Sequence, residues 1–409
     1  MQEDSPNVQA KNIDRWIKNA CEKHIPKNKL TRPSQNQWWG IHLDRIKSKV
    51  RKCLKRYRVE KNDIRKAELH EQYKWRLKEY RTAIKQSKTR NWDKFLGEAM
   101  ADTPWNLPYR ICAGKFRRPQ VLATVKRPDG TITEDWEETA EILLENLLPG
   151  DEPERDTMED QELRRLSQNK RQEPMSGEVY QITEAELAEI IDDCKKGKAP
   201  GPDRIQVDFY QATKEEVIPY LTKCINNCIR KGVFPNIHKD ALVAVLYKGG
   251  GKDPMSPASY RPIGLLNSAG KIIEKVIAKQ LSKHLEDGNL EPNQYGFRKK
   301  KSTEKAVRKV IKYIRNSKSK YVAGIFIDIS GAFNNLWWPL VVLEMERMKV
   351  PKYLQKILQD YCHKTFAHMQ DGKNCKRKNI TKGRPQGSIL GPILWNLILD
   401  SLLKMLYKY

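Results

Sequence analysis

Seven uncharged residues in a row, Tyr321-Val322-Ala323-Gly324-Ile325-Phe326-Ile327, end on one carboxylate, Asp328, followed by a small turn through Gly331. A run of this kind fits a strand buried on both faces. An ionised carboxylate at its end is costly unless a cation or a strong donor meets it. The segment therefore predicts a strand over 321–327 and something positive beside Asp328. Read alone, it is equally compatible with Asp328 capping the helix that follows.

The rest of the chain narrows the choice. Its 409 residues exceed one ordinary core, which predicts two or three domains or subdomains. Lys and Arg number 77 against 51 Asp and Glu, a net charge of +26. That excess favours polyanions, nucleic acid ahead of an anionic membrane surface, because contacts to phosphates release condensed counterions. No apolar run approaches the roughly 20 residues that span a bilayer, and the first residues, MQEDSPNVQA, are polar, so an intracellular, soluble chain without signal peptide is expected. The eight cysteines form no CxxC pair, which argues for reduced thiols; Cys224 and Cys228 with His238 beyond them are a weak zinc pattern against an ordinary packed helix face.

Apolar residues at helical spacing from Ile46 to about Leu96, among many Lys and Arg, predict two long basic helices, either a solvated face or a nucleic-acid contact. Residues 128–178 are acidic and contain proline, with a short helix around 138–148, and read as a connector. Thr183 and Glu186 form a capping box ahead of Leu187, Ile190 and Ile191. Then follow a helix over about 215–231, a strand over 241–247, a helix over about 269–285, a helix from Thr303, a hairpin in FAHMQDGKNCKRKNIT, and a helix over 389–406. Helices and strands alternate without a parallel repeat, so the class is α+β. GGGKD (249–253) and GLLNSAGK (264–271) both fail the Walker pattern in spacing and in the residue after Lys.

Five stretches in order, KGKAPGPD, LYKGGGKDP with YRPIGLLN, NQYGFRKKKST, IFIDISGAFNN and GRPQGSILGPILWN, resemble the reverse transcriptase of non-LTR (LINE-type) retrotransposons, nearest the Jockey-like branch, over most of residues 180–409. The resemblance implies right-hand polymerase fingers over 179–320 and a partial palm over 321–409. A mostly helical basic linker region (1–127) and the acidic connector precede them. QWWGIHLDRIKSKVRKCLKRY and PWNLPYRICAGKFRRP resemble the segment that joins an endonuclease to such a polymerase. The tryptophan-containing stretch around Trp38 argues against a group II intron enzyme, which shares the palm motifs.

The implied chemistry is RNA-directed addition of dNTPs to a primer 3′-hydroxyl by two-metal phosphoryl transfer, with Mg²⁺ or Mn²⁺ as cofactor. By resemblance Asp328 and the carbonyl of Ile329 hold metal, and Phe333 is the steric gate against a ribose 2′-hydroxyl, with a plain core aromatic as the alternative. Lys248 and Arg261 grip the triphosphate, and Gln386 and Gly387 lie beside the nascent pair. Tyr295, Phe297, Arg298, Lys299, Arg384 and Ser388 face template and primer; RKKK also reads as a nuclear signal. Asn334 departs from the Asp more usual after the gate aromatic. The implied partners are an RNA template, a DNA primer or target, and dNTPs, in the nucleus. The family's Tyr/Phe-x-Asp-Asp hairpin is expected beyond Tyr409, and Asp400 lies within a helical pattern. Two functions are thus open: a polymerase, or a remnant that binds RNA or DNA without chemistry.

Overall fold

A computed structural model describes residues 5–25, 38–100, 124–288, 290–372 and 374–406. The stretch PWNLPYRICAGKFRRP lies outside them. The chain divides into two units, residues 26–122 and the remainder, and each is described by itself.

The larger unit mixes helices with a four-stranded sheet, as the α+β reading expects. Strands β1 (Ala241–Tyr247), β2 (Tyr260–Leu265), β3 (Thr365–Asp371) and β4 (Asn374–Ile380) lie in the order β2-β1-β3-β4. β1 and β2 form an antiparallel hairpin, β3 and β4 another, and β1 runs parallel to β3 through Ala241 opposite Ala367 and Leu242 opposite His368. β1 is rich in Val and Leu, the composition of a half-buried pleated surface. Its Ala241 and Val243 point into the core.

Three helices lead into this sheet: α1 (Pro6–His24), then α4 (Trp136–Leu147) and α5 (Met158–Gln172). α6 (Glu184–Asp192), α7 (Val207–Ala212) and α8 (Lys214–Lys231) precede β1. α9 (Ser268–Glu286) and α10 (Thr303–Asn316) follow β2; α11 (Trp338–Arg347), α12 (Lys352–Cys362) and α13 (Gly391–Leu406) complete the unit. The core lies between α8, α9 and α12, where Ile225, Ile229, Ile272, Val276, Ile357 and Leu358 are buried. Thr183 and Glu186 form the expected capping box at α6. The stretch read as an acidic connector carries α4, which buries Leu143 and Leu144 and reaches β4 through an ion pair from Glu141 to Lys376 (2.8 Å), and α5, capped by Thr157 and Asp160.

α1, grouped in the sequence with the basic linker, packs on α8. It buries Ala10 and Ile17, and Asn227 Nδ2 donates to Gln9 Oε1 (2.9 Å) while the Asn236 amide donates to Asn7 Oδ1 (2.8 Å). Cys224 and Cys228 are buried on the inner face of α8. Among the described residues no group of three or more His, Cys, Asp or Glu is arranged around a metal position.

Asp203 belongs to this region. One carboxylate oxygen accepts from the Ile205 amide (3.1 Å) and the other has no partner. Burial, with a smaller contribution from Asp14, pushes its carboxyl up to about 6. A carboxyl near 4 when unfolded and near 6 when folded binds more protons in the folded state between those values, so it costs stability as pH rises through that window and fully above it. Asp203→Asn is expected to remove a fall of about 3 kcal/mol in unfolding free energy between about pH 4 and 6. Denaturant melts across that range check it; an unchanged pH profile in the variant would refute the assignment.

In the smaller unit, α2 (Ile41–Val59) and α3 (Asp63–Met100) form an antiparallel hairpin, matching the two long basic helices. Leu43, Ile46 and Val50 are buried against α3. The turn is fixed by Glu60, whose carboxylate accepts from the Lys61 and Asn62 amides at 3.0 and 3.1 Å. Among the described residues no helix is long and apolar enough to cross a membrane.

Candidate nucleotide and nucleic-acid site

The β1–β2 hairpin places two cations at one end of the sheet. Leu246 pairs with Arg261 and Tyr247 with Tyr260, and the next residue, Lys248, donates its amide to Ser259 O at 2.8 Å. Lys248 and Arg261 are both exposed, and among the described residues neither has a carboxylate within ion-pair distance. Partial burial depresses the Lys248 ammonium, and the charges of Lys252 and Arg261 add to the shift. Its Nζ donates to Ala258 O (2.6 Å), which holds the cation in place. Uncompensated positive charge on a rigid hairpin is a site for an anion.

The GRPQGS loop docks on the outer edge of β2. The Gly264 amide donates to Gln386 O at 2.6 Å, joining YRPIGLL to GRPQGS. Gly387 has φ +127°, and a Cβ there would lie 2.3 Å from Gly264 O. Gly383 has φ +73°, and a Cβ would lie 2.1 Å from Asn334 O. Only glycine fits either position. The loop is tied to the segment around Phe333 by Gly383 N to Leu336 O (2.8 Å) and Arg384 N to Phe333 O (2.9 Å).

Beneath the loop is a buried polar network that sequence reasoning missed. The Glu274 carboxylate on α9, 1% exposed, accepts from Tyr361 OH (2.5 Å), Ser388 OH (3.2 Å) and the Ile389 amide (2.6 Å). Ser388 Oγ in turn accepts from the Gly391 amide at 3.1 Å. Burial raises the Tyr361 hydroxyl well above the usual phenol range. A signal was available: Gly270, Glu274, Ile277 and Leu281 share one buried stripe of α9, and a lone acid on such a stripe needs a partner.

Two residues expected to face the template are instead internal. Arg384 is 1% exposed, with its guanidinium 3.7 Å from the Tyr361 ring centre and Nη1 donating to Thr365 Oγ1 at 2.7 Å; Ser388 is spent on Glu274 and Tyr361. Arg298 is likewise held, by both oxygens of Glu286 (2.7–3.2 Å) and by Glu291 O (2.9 Å). A bidentate pair satisfies the guanidinium fork and leaves little for a phosphate. These three side chains shape the loops rather than present themselves to a strand.

Others remain accessible. Phe297 is exposed and meets the half-buried Phe333 edge to face, ring centres 5.6 Å apart, so two separated motifs converge; an added Cβ at Gly391 would be 4.0 Å from Phe333. Tyr295 is half-buried under Lys301 Nζ (4.9 Å), and Lys299 is exposed. Asn334 is used structurally, its Nδ2 donating to Leu147 O at 2.8 Å.

The strand expected over 321–327 is not formed. Among the described residues, 321–329 belong to no helix or strand and pair with no other segment; Ile325 and Phe326 are 90% and 94% exposed, and Asp328 and Ile329 are exposed with them. The expected burial of Asp328 is therefore corrected: without a neighbouring strand the run has nothing to be buried against. Asp400 is fully buried, bonded to Arg347, Lys404 and the Glu291 amide at 2.6–2.8 Å, a structural carboxylate. Burial opposes its ionisation, but these donors outweigh it and hold the carboxyl below its usual range.

Residues 247–409, which contain these motifs, match the family "Reverse transcriptase (RNA-dependent DNA polymerase)". The chain carries a reverse transcriptase domain. Over 394 residues it is 28% identical to the Retrovirus-related Pol polyprotein from type-1 retrotransposable element R1 of Bradysia coprophila, covering 96% of this chain and 38% of that protein. Over 391 residues it is 27% identical to the RNA-directed DNA polymerase from mobile element jockey of Drosophila melanogaster, 93% of this chain and 42% of the relative. A probable RNA-directed DNA polymerase from transposon X-element of the same fly is 32% identical over 216 residues, 52% of this chain and 24% of that protein. The reverse transcriptase domain is thus similar to those of non-LTR retrotransposon RNA-directed DNA polymerases, and the chain spans about two fifths or less of the length of these relatives.

Proposed function

We propose that this chain supplies the nucleotide-gripping and metal-holding part of an RNA-directed DNA polymerase of a non-LTR retrotransposon, with fingers over 179–320 and palm from 321 onward. The observation that carries the reading is the Gly264–Gln386 backbone bond, which joins the hairpin bearing Lys248 and Arg261 to the loop beside Phe333. In this reading the two cations take the triphosphate, Gln386 and Gly387 flank the new pair, Phe333 excludes the 2′-hydroxyl, and Tyr295, Phe297 and Lys299 meet the template. RNA template, DNA primer and dNTPs are the partners, and the nucleus is the place of action.

Asp328 fits a hard divalent cation. Its carboxylate is exposed and, among the described residues, engaged in no hydrogen bond or ion pair, and such ions take oxygen ligands. Asp328 and the Ile329 carbonyl would hold Mg²⁺ or Mn²⁺; the metal, when bound, would favour an ionised 3′-hydroxyl and neutralise phosphate charge. The β-prone run before Asp328 is suited to pair with a further strand, which would bury Ile325 or Phe326 and fix the carboxylate. Its present exposure is the one observation that favours the binding-only alternative.

Lys248→Ala and Arg261→Ala are each expected to raise the KM for dNTP by about tenfold or more with a smaller effect on kcat, because each removes a charge-assisted contact to the phosphates. Steady-state incorporation at varied dNTP checks this. An unchanged KM in both variants would remove the triphosphate assignment.

A further inference from the structure

The α2–α3 hairpin carries a charge excess that the polymerase reading does not use. α2 holds eight Lys or Arg against one acid, Asp44, and α3 holds ten against six. Around the turn, Lys52, Lys55, Arg56, Lys61 and Arg65 line an open recess of about 750 Å³ with Val59 and Leu69 at its walls. All five are exposed. Among the described residues, no carboxylate pairs with the first four, and Arg65 reaches Glu60 only at 3.9 Å. Glu60, the sole acid in the lining, has its other oxygen committed to the turn amides.

Four unpaired cations beside a fifth that is only loosely paired repel one another, and an arrangement of that kind is relieved by a polyanion. Lys52, Lys55 and Arg56 follow i, i+3, i+4 spacing on one face of α2, about 6 Å of helix, close to the step between successive phosphates of one strand. A second basic row, Lys78, Arg81 and Lys85, runs along α3.

The aromatic residues indicate which nucleic acid. Single strands are gripped by bare rings on which bases stack. The recess has no aromatic side chain in its lining. Elsewhere in the hairpin Trp39 carries Lys47 at 5.0 Å, Trp38 carries Lys88 at 4.7 Å, Trp75 carries Arg76 at 4.5 Å, and Tyr57 is stacked on His70. These rings lie outside the recess, whose own lining offers charge without a stacking surface. The ligand that fits offers phosphates outward and keeps its bases inside.

We propose that the α2–α3 hairpin binds the phosphate backbone of a double helix, without sequence preference, through the recess at its turn. The inference does not rest on Asp328 or on dNTP chemistry.

The test uses the 409-residue chain and fluorescence anisotropy with a short DNA duplex, an RNA duplex, an RNA·DNA hybrid and single-stranded oligo(U), over a range of KCl, with polyglutamate as competitor. The Lys52→Gln/Lys55→Gln/Arg56→Gln variant is expected to lose about tenfold or more in duplex affinity. Its log K against log salt slope should shrink by about 2.7, near 0.9 for each phosphate contact removed. The Lys52→Arg/Lys55→Arg variant should bind as the parent does, and circular dichroism should show helicity kept. If the triple variant loses helix, Arg56→Glu alone is read in its place, with the same loss of affinity expected. An unchanged affinity and slope would overturn the proposal. So would oligo(U) binding that exceeds duplex binding and falls equally in the variant, or displacement by polyglutamate at equal charge. Absent primer extension by a polypeptide that also carries the x-Asp-Asp hairpin, with this duplex behaviour intact, counts against the polymerase reading alone; intact extension with an unchanged slope counts against this inference alone.

Discussion

Asp328→Ala is expected to abolish dNTP incorporation, by about 10³-fold or more, in a polypeptide that carries these residues together with the x-Asp-Asp hairpin implied by the resemblance. Losing a metal ligand at the reacting phosphate removes several kcal/mol of charge stabilisation, and about 4 kcal/mol is a thousandfold in rate. Stability and template binding should be unaffected, since Asp328 is exposed and makes no internal bond among the described residues. Primer extension and template affinity measured on the same samples check both halves. A variant that extends at the parent's rate would mean that Asp328 holds no metal. One that loses binding in proportion to activity would mean that the residue acts on structure.

The second large effect is expected at Glu274. Glu274→Ala would leave Tyr361 OH, Ser388 OH and the Ile389 amide without the buried acceptor they share. A buried donor left unpaired costs roughly 1–3 kcal/mol. Tyr361 and Ser388 can still bond each other at 2.8 Å, so a net loss of about 3 kcal/mol is expected rather than the full sum. The GRPQGS loop should loosen with it, because Ser388 and Ile389 anchor its far end. Glu274→Gln keeps an acceptor and should recover about half. Denaturant melts and hydrogen exchange at residues 386–391 check this; a melt indistinguishable from the parent, with the loop still protected, would show that the network carries no stability.

The sequence made most of the helices and most of the sheet legible because their signals are local, while α5 lay in the stretch read as a connector and α7 was not read. The Thr183–Glu186 capping box, the Val- and Leu-rich β1 and the hairpin over 365–380 each rest on neighbouring residues. The run over 321–327 failed as a strand because pairing is not local: apolar composition predicts burial only when another strand lies alongside. Within the site, Lys248, Arg261, Gln386 and Phe333 lie on elements joined by backbone hydrogen bonds, a juxtaposition that motif order alone does not give. The template-side roles of Arg298 and Arg384 come from the family resemblance, which carries no information on each side chain's own partners. The structure pairs Arg298 with Glu286 and stacks Arg384 on Tyr361. Those partners lie 12 and 23 residues away, beyond any periodicity. Glu274 was the reverse case, a legible anomaly on an apolar helical stripe that the motifs did not include.

The central claim is that this domain copies RNA into DNA. The most direct test is extension of a DNA primer on an RNA template by a polypeptide that carries these residues together with the x-Asp-Asp hairpin, with dNTPs and Mg²⁺, recording template binding in parallel and chelating the metal in a second series. The account predicts RNA-templated extension that stops on chelation while binding persists. Tight binding without extension at any Mg²⁺ or Mn²⁺ concentration would contradict it, and would make the protein a nucleic-acid binder built on a polymerase frame.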